Sequence, residues 1–255
     1  MQSVIPMLRR NTAPFIALIC LLVTWQAVSA VYKIPSWLIP SPADIFYAGR
    51  DFLGVLPYHT LATTIVTLAG FIAAAVFGFV MALPLTAWPF FKKTVYPFLM
   101  VLQSMPKVAI APLLLMWVGF GAESKIIIVF LVCFFPIILA AISGLDAVPQ
   151  PLLDIARSFS TPWWRVYLKI RIPYSLPYFF MGLKVSVTLA VTGAVVGEFV
   201  ASKEGLGYLI LNGVQQFNTP LAFAAMLLLG LLTVVLYGLV AAVEATFGRY
   251  AVKEK

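Results

Sequence analysis

The amino-acid sequence predicts an all-α integral membrane protein with about six transmembrane helices. Two observations on composition support this fold class: 62% of the 255 residues are hydrophobic, and only 10% are charged. Soluble domains carry about 25% charged residues, so this chain lacks the polar surface that a water-soluble globule needs. A third observation is that the apolar residues fall into six runs, each near the ~20 residues that span a bilayer.

The six runs cover residues 13–32, 61–85, 95–119, 125–145, 178–200 and 220–243. We expect one transmembrane domain over residues 1–255, with its core at 61–245. The first run follows Arg9 and Arg10 and ends in Ala-Val-Ser-Ala, a pattern that is also typical of cleavable signal peptides. Because the run is long for a signal peptide, we expect it to be retained as a span.

The distribution of basic residues predicts the orientation of the chain. Lys and Arg concentrate on the cytoplasmic side of membrane proteins, and one orientation places eleven of them inside against four outside. We therefore expect both termini in the cytoplasm, and the net charge of +8 does not indicate a nucleic-acid partner. The inside set is Arg9, Arg10, Lys92, Lys93, Arg157, Arg165, Lys169, Arg171, Arg249, Lys253 and Lys255, and the outside set is Lys33, Arg50, Lys125 and Lys203.

The segment between the first two spans predicts a short helix with Ser41 as its N-cap and Pro42 in its first turn. Its apolar residues fall near one face, as in a helix that lies at the membrane interface: Ile45, Phe46, Phe52 and Leu53. The single histidine, His59, has no acidic residue at helical spacing, so we expect it to make a polar contact at the interface.

Two spans carry small residues four positions apart, which allow membrane helices to approach closely. The second span has Gly70, Ala74 and Gly78, and the fifth has Gly193 and Gly197. We expect these residues to pack against neighbouring helices. The two cysteines lie inside apolar runs without metal-ligand spacing, so we expect packing residues and no metal site.

The third run contains three prolines, which cannot all lie in an undisturbed helix. Gln103, Ser104 and Lys107 cluster at the middle one, Pro106. In a straight helix from Val95, Lys107 would lie about 18 Å along the axis, near the bilayer midplane, where an unpaired lysine is costly. Two interpretations stay open: a structural kink with an internally paired lysine, or a broken helix that lines a translocation pathway.

The fifth run carries Lys184, Thr188 and Thr192 at four-residue spacing. This polar stripe on an apolar helix is the pattern expected of a cavity wall. Glu198 lies close to the predicted outer end of the same span, where it can be hydrated.

The basic segment between the fourth and fifth runs, residues 146–177, predicts two short helices. Pro151 suits the first turn of the first helix, whose apolar residues fall on one face and suit a groove in a partner protein: Leu152, Leu153, Ala156 and Phe159. Ser160 or Thr161 can cap a second helix that opens at Pro162. Aromatic and basic residues of the second helix suit the membrane surface.

This segment resembles the EAA motif of ATP-binding-cassette importer permeases, which reads Glu-Ala-Ala, three residues, Gly, nine residues, Ile-x-Leu-Pro. The chain keeps every spacing, with Asp154 and Ala156, then Ser160, then Ile170 and Pro173. The chain departs from the motif at four positions: Asp replaces Glu, Ile replaces the first Ala, Ser replaces Gly, and Ile replaces Leu. Three further stretches, 38–42, 106–121 and 204–210, are similar to the permease group that serves nitrate, sulfonate, taurine, bicarbonate and some thiamine-precursor systems.

The resemblance implies a type I importer fold and a bacterial inner-membrane location. It implies that two copies form the pathway, that two copies of a cytoplasmic ATPase bind the loop, and that an extracytoplasmic binding protein delivers the substrate. ATP and Mg²⁺ would bind the ATPase, since this chain has no glycine-rich phosphate-binding pattern and we expect it to bind no cofactor itself. The loop would transmit motion and catalyse nothing.

The candidate residues therefore form two sets. For ATPase coupling they are Leu152, Leu153, Asp154, Ala156, Arg157, Phe159, Ser160 and Pro162. For the translocation pathway they are Gln103, Ser104, Lys107, Lys184, Thr188, Thr192 and Glu198.

Two other functions compete with an importer permease. A secondary transporter driven by an ion gradient would also have broken helices, but it predicts an acidic residue near the midplane, and we expect none there. A membrane-embedded enzyme needs a cluster of catalytic residues, which one histidine and two scattered cysteines do not provide. For the substrate we expect a small anion of the sulfonate or nitrate type, which Lys107 and Lys184 would favour by charge, and a small heterocycle is the alternative.

Overall fold

A computed structural model describes residues 5–247 of the chain, and the side chains of residues 14–200 and 202–247. In that part of the chain the regular structure is helical: α1 Ile5–Val31, α2 Pro42–Asp51, α3 Leu56–Ala87, α4 Pro89–Ser104, α5 Lys107–Val118, α6 Ala122–Asp146, α7 Gln150–Ser158, α8 Trp163–Val166, α9 Ile172–Ala201, α10 Leu206–Gln215 and α11 Thr219–Phe247. A π-helical turn at Tyr167–Arg171 joins α8 to α9. The basic residues predicted for the tail, Arg249, Lys253 and Lys255, lie outside the described residues.

The helices confirm the predicted spans. Five stretches are long and apolar enough to cross a membrane: α1, α3, α6, α8 to α9, and α11. The pair α4 and α5 makes a sixth span if it is counted as one, and its two halves meet at 94°. The all-α class and the six predicted runs are therefore confirmed.

The bend between α4 and α5 lies at the predicted proline. Met105 and Pro106 are in extended conformation, and the missing N–H of Pro106 cannot continue the hydrogen-bonding of α4. The third span is thus a broken helix, as one of the two interpretations predicted. The depth calculated for Lys107 is wrong, because it assumed a straight helix through Ser104.

Helix α6 lies at the centre of the bundle and packs along α3 and α9. The small residues allow this contact, as predicted. A Cβ atom on Gly70 would lie 2.5 Å from Cβ of Val129, and one on Gly193 would lie 3.3 Å from the Cα of the same valine. Both helices therefore approach α6 closely at Val129, and at Gly70 the approach is too close for any side chain without a shift of the backbone or of Val129.

Helix α2 begins as the sequence predicts. Ser41 and Asp44 form a capping box: the Asp44 N–H donates to the Ser41 hydroxyl at 3.2 Å, and the Ser41 N–H donates to the Asp44 carboxylate at 2.9 Å. Ile45 is buried, while Phe46 of the predicted apolar face is exposed. Helices α2 and α10 pack against α11 at one end of the bundle, and α7 and α8 lie at the other.

Candidate functional site

Helix α7 exposes an apolar ridge at the end of the bundle that is predicted to be cytoplasmic. Leu153 and Ala156 are buried within the chain, whereas Leu152, Ile155 and Phe159 are exposed, Phe159 by 80%. The predicted single face is therefore divided, because the apolar arc of this helix is wider than its contact with the bundle. The exposed half forms a ridge of three large side chains, which we call the α7 ridge.

The residue Ser160 ends α7 instead of capping the next helix. Its φ angle is 48°, in the left-handed region, and the N–H of Thr161 donates to the carbonyl of Ala156 at 3.0 Å. This is a Schellman C-cap, which favours glycine at the Ser160 position. The prediction that Ser160 or Thr161 caps the second helix is wrong: α8 has Pro162 at its N-cap and no side-chain cap.

The acidic residue of the motif, Asp154, accepts a hydrogen bond from Arg157 of the same helix at 3.0 Å. Both side chains are largely exposed, so this ion pair adds little to stability. Neither is fixed to the rest of the bundle by an ion pair in the described residues, and both are free to meet a partner.

The base of the loop is closed by a group of three charged residues. The Asp146 carboxylate at the end of α6 accepts from Lys92 of α4 at 2.6 Å and lies 3.7 Å from Arg171 of the π-helical turn. Arg171 also donates to the carbonyl of Leu145 at 3.4 Å. The two ends of the loop are thereby joined to each other and to α4.

Three of the predicted pathway residues line a cleft of about 320 Å³ between the broken span, α6 and α9. Gln103 and Lys107 contribute from the break, and Thr192 contributes from α9. The remaining walls are mainly apolar and include Leu189 and Val196. This cleft combines an amide, an ammonium and a hydroxyl group with apolar surface, which is the usual character of a small-molecule site.

The ammonium group of Lys107 is held by two uncharged partners. It donates to the carbonyl of Gln103 at 2.7 Å and lies 4.9 Å from the centre of the Phe135 ring. The lysine is thus internally satisfied, as the first interpretation of the break predicted, and it also lines the cleft.

The structure places three other predicted pathway residues outside the lining of this cleft. Lys184 forms an ion pair with Glu244 of α11. Thr188 and Ser104 are exposed, and each hydroxyl donates to a backbone carbonyl of its own helix. The predicted stripe on α9 therefore divides, with Lys184 directed to α11 and Thr192 directed to the cleft.

The seventh predicted pathway residue, Glu198, is buried under the start of α10 and is 2% exposed. Its carboxylate accepts from the hydroxyl of Thr63 at 2.8 Å and from the N–H of Gly207 at 2.7 Å. The N–H of Leu206 donates to the same threonine at 2.8 Å. Glu198 is therefore a partner for the unpaired N–H groups at a helix N-terminus, and it is shielded from water.

The single histidine, His59, lies in the same buried region and does not face the interface as expected. Its Nδ1 accepts from the N–H of Gly205 at 3.0 Å, and its ring stacks on Tyr208 at 5.7 Å. On the outer side of this region, Glu204 accepts from Tyr58 at 2.9 Å and lies 3.5 Å from Lys125. The start of α10 is thus fixed to α3, α6 and α9 by polar side chains.

The sequence matches, over residues 74–249, the family described as binding-protein-dependent transport system inner membrane component. The chain belongs to this family. The prediction of an ABC importer permease, made from the loop motif, is thereby confirmed.

Relatives of this permease cover most of its length. It is 37% identical over 89% of its chain to a probable ABC transporter permease protein of Haemophilus influenzae, 93% of which is covered. It is 36% identical to the riboflavin transport system permease protein of Chloroflexus aurantiacus, over 92% of this chain and 88% of that one. It is 30% identical to the formylaminopyrimidine transport permease protein of Halalkalibacterium halodurans, over 86% of this chain and 88% of that one.

More distant relatives include a putative aliphatic sulfonates permease of Bacillus subtilis at 28% identity and the taurine permease of Escherichia coli at 25%. Among solved structures, the MetNI methionine ABC transporter in an inward-facing conformation has a chain that matches with a TM-score of 0.67 and 17% identity. The match covers 77% of this permease and 98% of that chain. The predicted permease fold is therefore confirmed.

Sequence reasoning missed the charged residues that close the loop and the polar group around Glu198. The sequence did contain a signal for the first group. Its members are the charged residues nearest to the two ends of the loop and to the start of α4: Asp146, Arg171 and Lys92. No sequence signal pointed to Thr63 and His59, because their partners lie more than 130 residues away in the sequence.

Proposed function

We propose that two copies of this permease form the translocation pathway of a binding-protein-dependent ABC importer, and that each copy binds a separate cytoplasmic ATPase through α7. The α7 ridge supports this most directly, because three large apolar side chains on a short helix would otherwise face water. An amphipathic helix that presents such a ridge suits a hydrophobic groove in a partner protein. In this proposal ATP and Mg²⁺ bind the ATPase, and an extracytoplasmic binding protein delivers the substrate.

Coupling follows from how the loop is held. When the ATPases close, α7 moves with them, and the Asp146 group transmits this displacement to α4, α6 and α9. The bend between α4 and α5 gives the third span a point at which its two halves can change their angle. The cleft beside Lys107 would then open alternately to either side of the membrane.

The docking of α7 is tested by introducing a charge into the ridge. Ile155→Asp should reduce recovery of the ATPase with the purified permease by at least ~30-fold, since a central apolar contact contributes about 2 kcal/mol or more. Gln150→Asp is the matched control: it adds the same charge to an exposed position of the same helix, away from the ridge. Equal recovery with both variants would refute docking through the ridge.

The same preparation separates the importer from an ion-gradient transporter. An importer needs the ATPase, the binding protein and ATP for uptake into liposomes. Uptake by the permease alone, driven by a proton or sodium gradient, would refute the importer proposal and support the secondary transporter.

We further propose that the substrate is a small heterocycle rather than a small anion. The ammonium of Lys107 already contacts a carbonyl and an aromatic ring, while Gln103 and Thr192 offer hydrogen bonds to a neutral polar ring. The relatives with higher identity that are named for a substrate are the riboflavin and formylaminopyrimidine permeases.

Substrate class is tested by uptake into liposomes that hold the complete complex, with riboflavin, formylaminopyrimidine and taurine offered in competition. We expect a heterocycle to be transported and Lys107→Met to change uptake by less than about threefold. Transport of taurine instead, with a tenfold or greater loss in the lysine variant, would refute the heterocycle and support an anion.

A further inference from the structure

A second groove lies at the end of the bundle that carries α7. Its volume is about 380 Å³, and its walls are formed by the last two turns of α3 and by the segment that follows α7. Val80, Leu83 and Ala87 line one side, and Trp164 and Leu168 line the other. The groove contains almost no polar surface, so water is a poor occupant.

The mouth of this groove is aromatic. Trp88, at the end of α3, and Trp163, at the start of α8, are both exposed, and their ring centroids lie 6.2 Å apart. Tryptophan is enriched at the headgroup level of membrane proteins, because its ring is apolar and its N–H needs a polar partner. The mouth is therefore placed at the boundary between the hydrocarbon and the headgroups.

A cation lies directly beside the groove. The guanidinium of Arg165 stacks on Trp164 at 4.9 Å from the ring centre, and the side chain of Lys169 is exposed four residues later. In the described part of the chain, neither forms an ion pair. By contrast, Arg171 has Asp146 as its acidic partner. The groove is thus bordered by positive charge that no acidic side chain within residues 14–247 neutralises.

The backbone at this point departs from the α-helix. Tyr167 and Leu168 belong to the π-helical turn, and both line the groove. Single π-helical turns interrupt helices frequently at functional sites. Here the wider turn begins two residues after Arg165, forms part of the groove wall and itself contains Lys169.

We propose that this groove binds an anionic phospholipid of the inner leaflet, with an acyl chain along α3 and the phosphate at Arg165. The apolar wall of the groove continues into the exposed face of α3, at Val76, Phe77 and Val80. An occupant can therefore enter sideways from the bilayer, which a soluble partner cannot do. The unneutralised cations favour an anionic headgroup over a zwitterionic one.

The bound lipid would stabilise the coupling loop. Its acyl chain would contact α3 on one side and the π-helical turn on the other, and that turn carries Arg171 of the loop base. The lipid would therefore hold the loop against the spans without occupying the α7 ridge.

The test is native mass spectrometry of the full-length protein purified in mild detergent and titrated with phosphatidylglycerol or phosphatidylcholine. We expect phosphatidylglycerol to be retained about tenfold more than phosphatidylcholine. Arg165→Gln should lower phosphatidylglycerol retention about fivefold, the effect of one cation near a membrane surface. Lys203→Gln is the control, since Lys203 is an exposed cation before α10 at the opposite end of the bundle and forms no ion pair in the described residues.

A second variant tests the position of the acyl chain. Ala87→Phe places a ring in the groove and should lower the retention of both lipids, while the melting temperature reports whether the variant is folded. Equal retention of phosphatidylglycerol by Arg165→Gln and Lys203→Gln would overturn the proposal, as would equal retention of the two lipids by the parent protein. Full phosphatidylglycerol retention by a folded Ala87→Phe would also overturn it, as would a cross-link from Trp163 to the ATPase in the assembled complex.

Discussion

At Gly205, in the turn before α10, the addition of a single methyl group should strongly lower the stability of the fold. Its φ and ψ are 104° and 163°, a region of backbone space that is essentially restricted to glycine. A Cβ atom at this position would lie no more than 2.5 Å from the carboxyl carbon and both carboxylate oxygens of Glu198. Gly205→Ala must therefore change the backbone, displace the carboxylate, or both.

The expected magnitude follows from these two costs. Holding a non-glycine residue in this conformation costs about 1–3 kcal/mol. Displacing the Glu198 carboxylate leaves the Thr63 hydroxyl or the Gly207 N–H without its buried partner, which costs about 1–3 kcal/mol for each group. With both costs at their lower limits, we expect a loss of at least about 2 kcal/mol in the free energy of unfolding.

The measurement is thermal unfolding of the purified permease in detergent. The control is Gly238→Ala, where a Cβ atom meets nothing within 4 Å and alanine should be neutral or slightly stabilising in α11. A cycle with Glu198→Ala separates the two costs, because in that background Gly205→Ala should retain only the backbone cost. If Gly205→Ala unfolds at the temperature of the control, the account of this turn is wrong.

Three further predictions concern the loop and the ion pairs. Ser160→Gly should stabilise the permease by about 1 kcal/mol, because it removes the steric cost of a non-glycine residue in the left-handed region. The measurement is the melting temperature, which should rise; an unchanged melting temperature would contradict the assigned C-cap. Asp146→Asn should lower substrate uptake several-fold in the assembled complex while ATP hydrolysis continues, because it disconnects the loop base from α4. An equal loss of uptake and ATP hydrolysis would contradict this role of Asp146. Lys184→Glu should lower the melting temperature, and adding Glu244→Lys should restore it; no restoration would mean that the pair does not form.

The spans and the break could be predicted because their causes are local. Apolar runs long enough to cross a bilayer have one stable arrangement in lipid. Pro106 removes a hydrogen bond wherever the helix lies, and Ser41 caps α2 with a partner three residues away. In each case the deciding interaction lies within one or two helical turns of the residue concerned.

The side-chain partners could not be predicted in the same way. Glu198 has Thr63 as its partner, and Lys184 has Glu244, so each pair joins different spans. Periodicity places a residue on a face of its own helix but does not state which neighbour that face meets. The same limit explains α7, where the apolar arc was predicted and its division between the bundle and the exposed ridge was not.

The polar residues within the spans differ in how readily they can exchange partners. Glu198 is held by the buried hydroxyl of Thr63, and Lys184 is held by the partly exposed carboxylate of Glu244. Moving either residue would leave a polar group on another helix without its partner, and for Glu198 that group is buried. Lys107 donates to the carbonyl of Gln103, across the break between α4 and α5, and its ammonium lies over the ring of Phe135 on α6. A change in the angle of the break alters these contacts without stranding a carboxylate. In the proposed transport cycle, Lys107 would therefore exchange its partners more readily than Lys184 or Glu198.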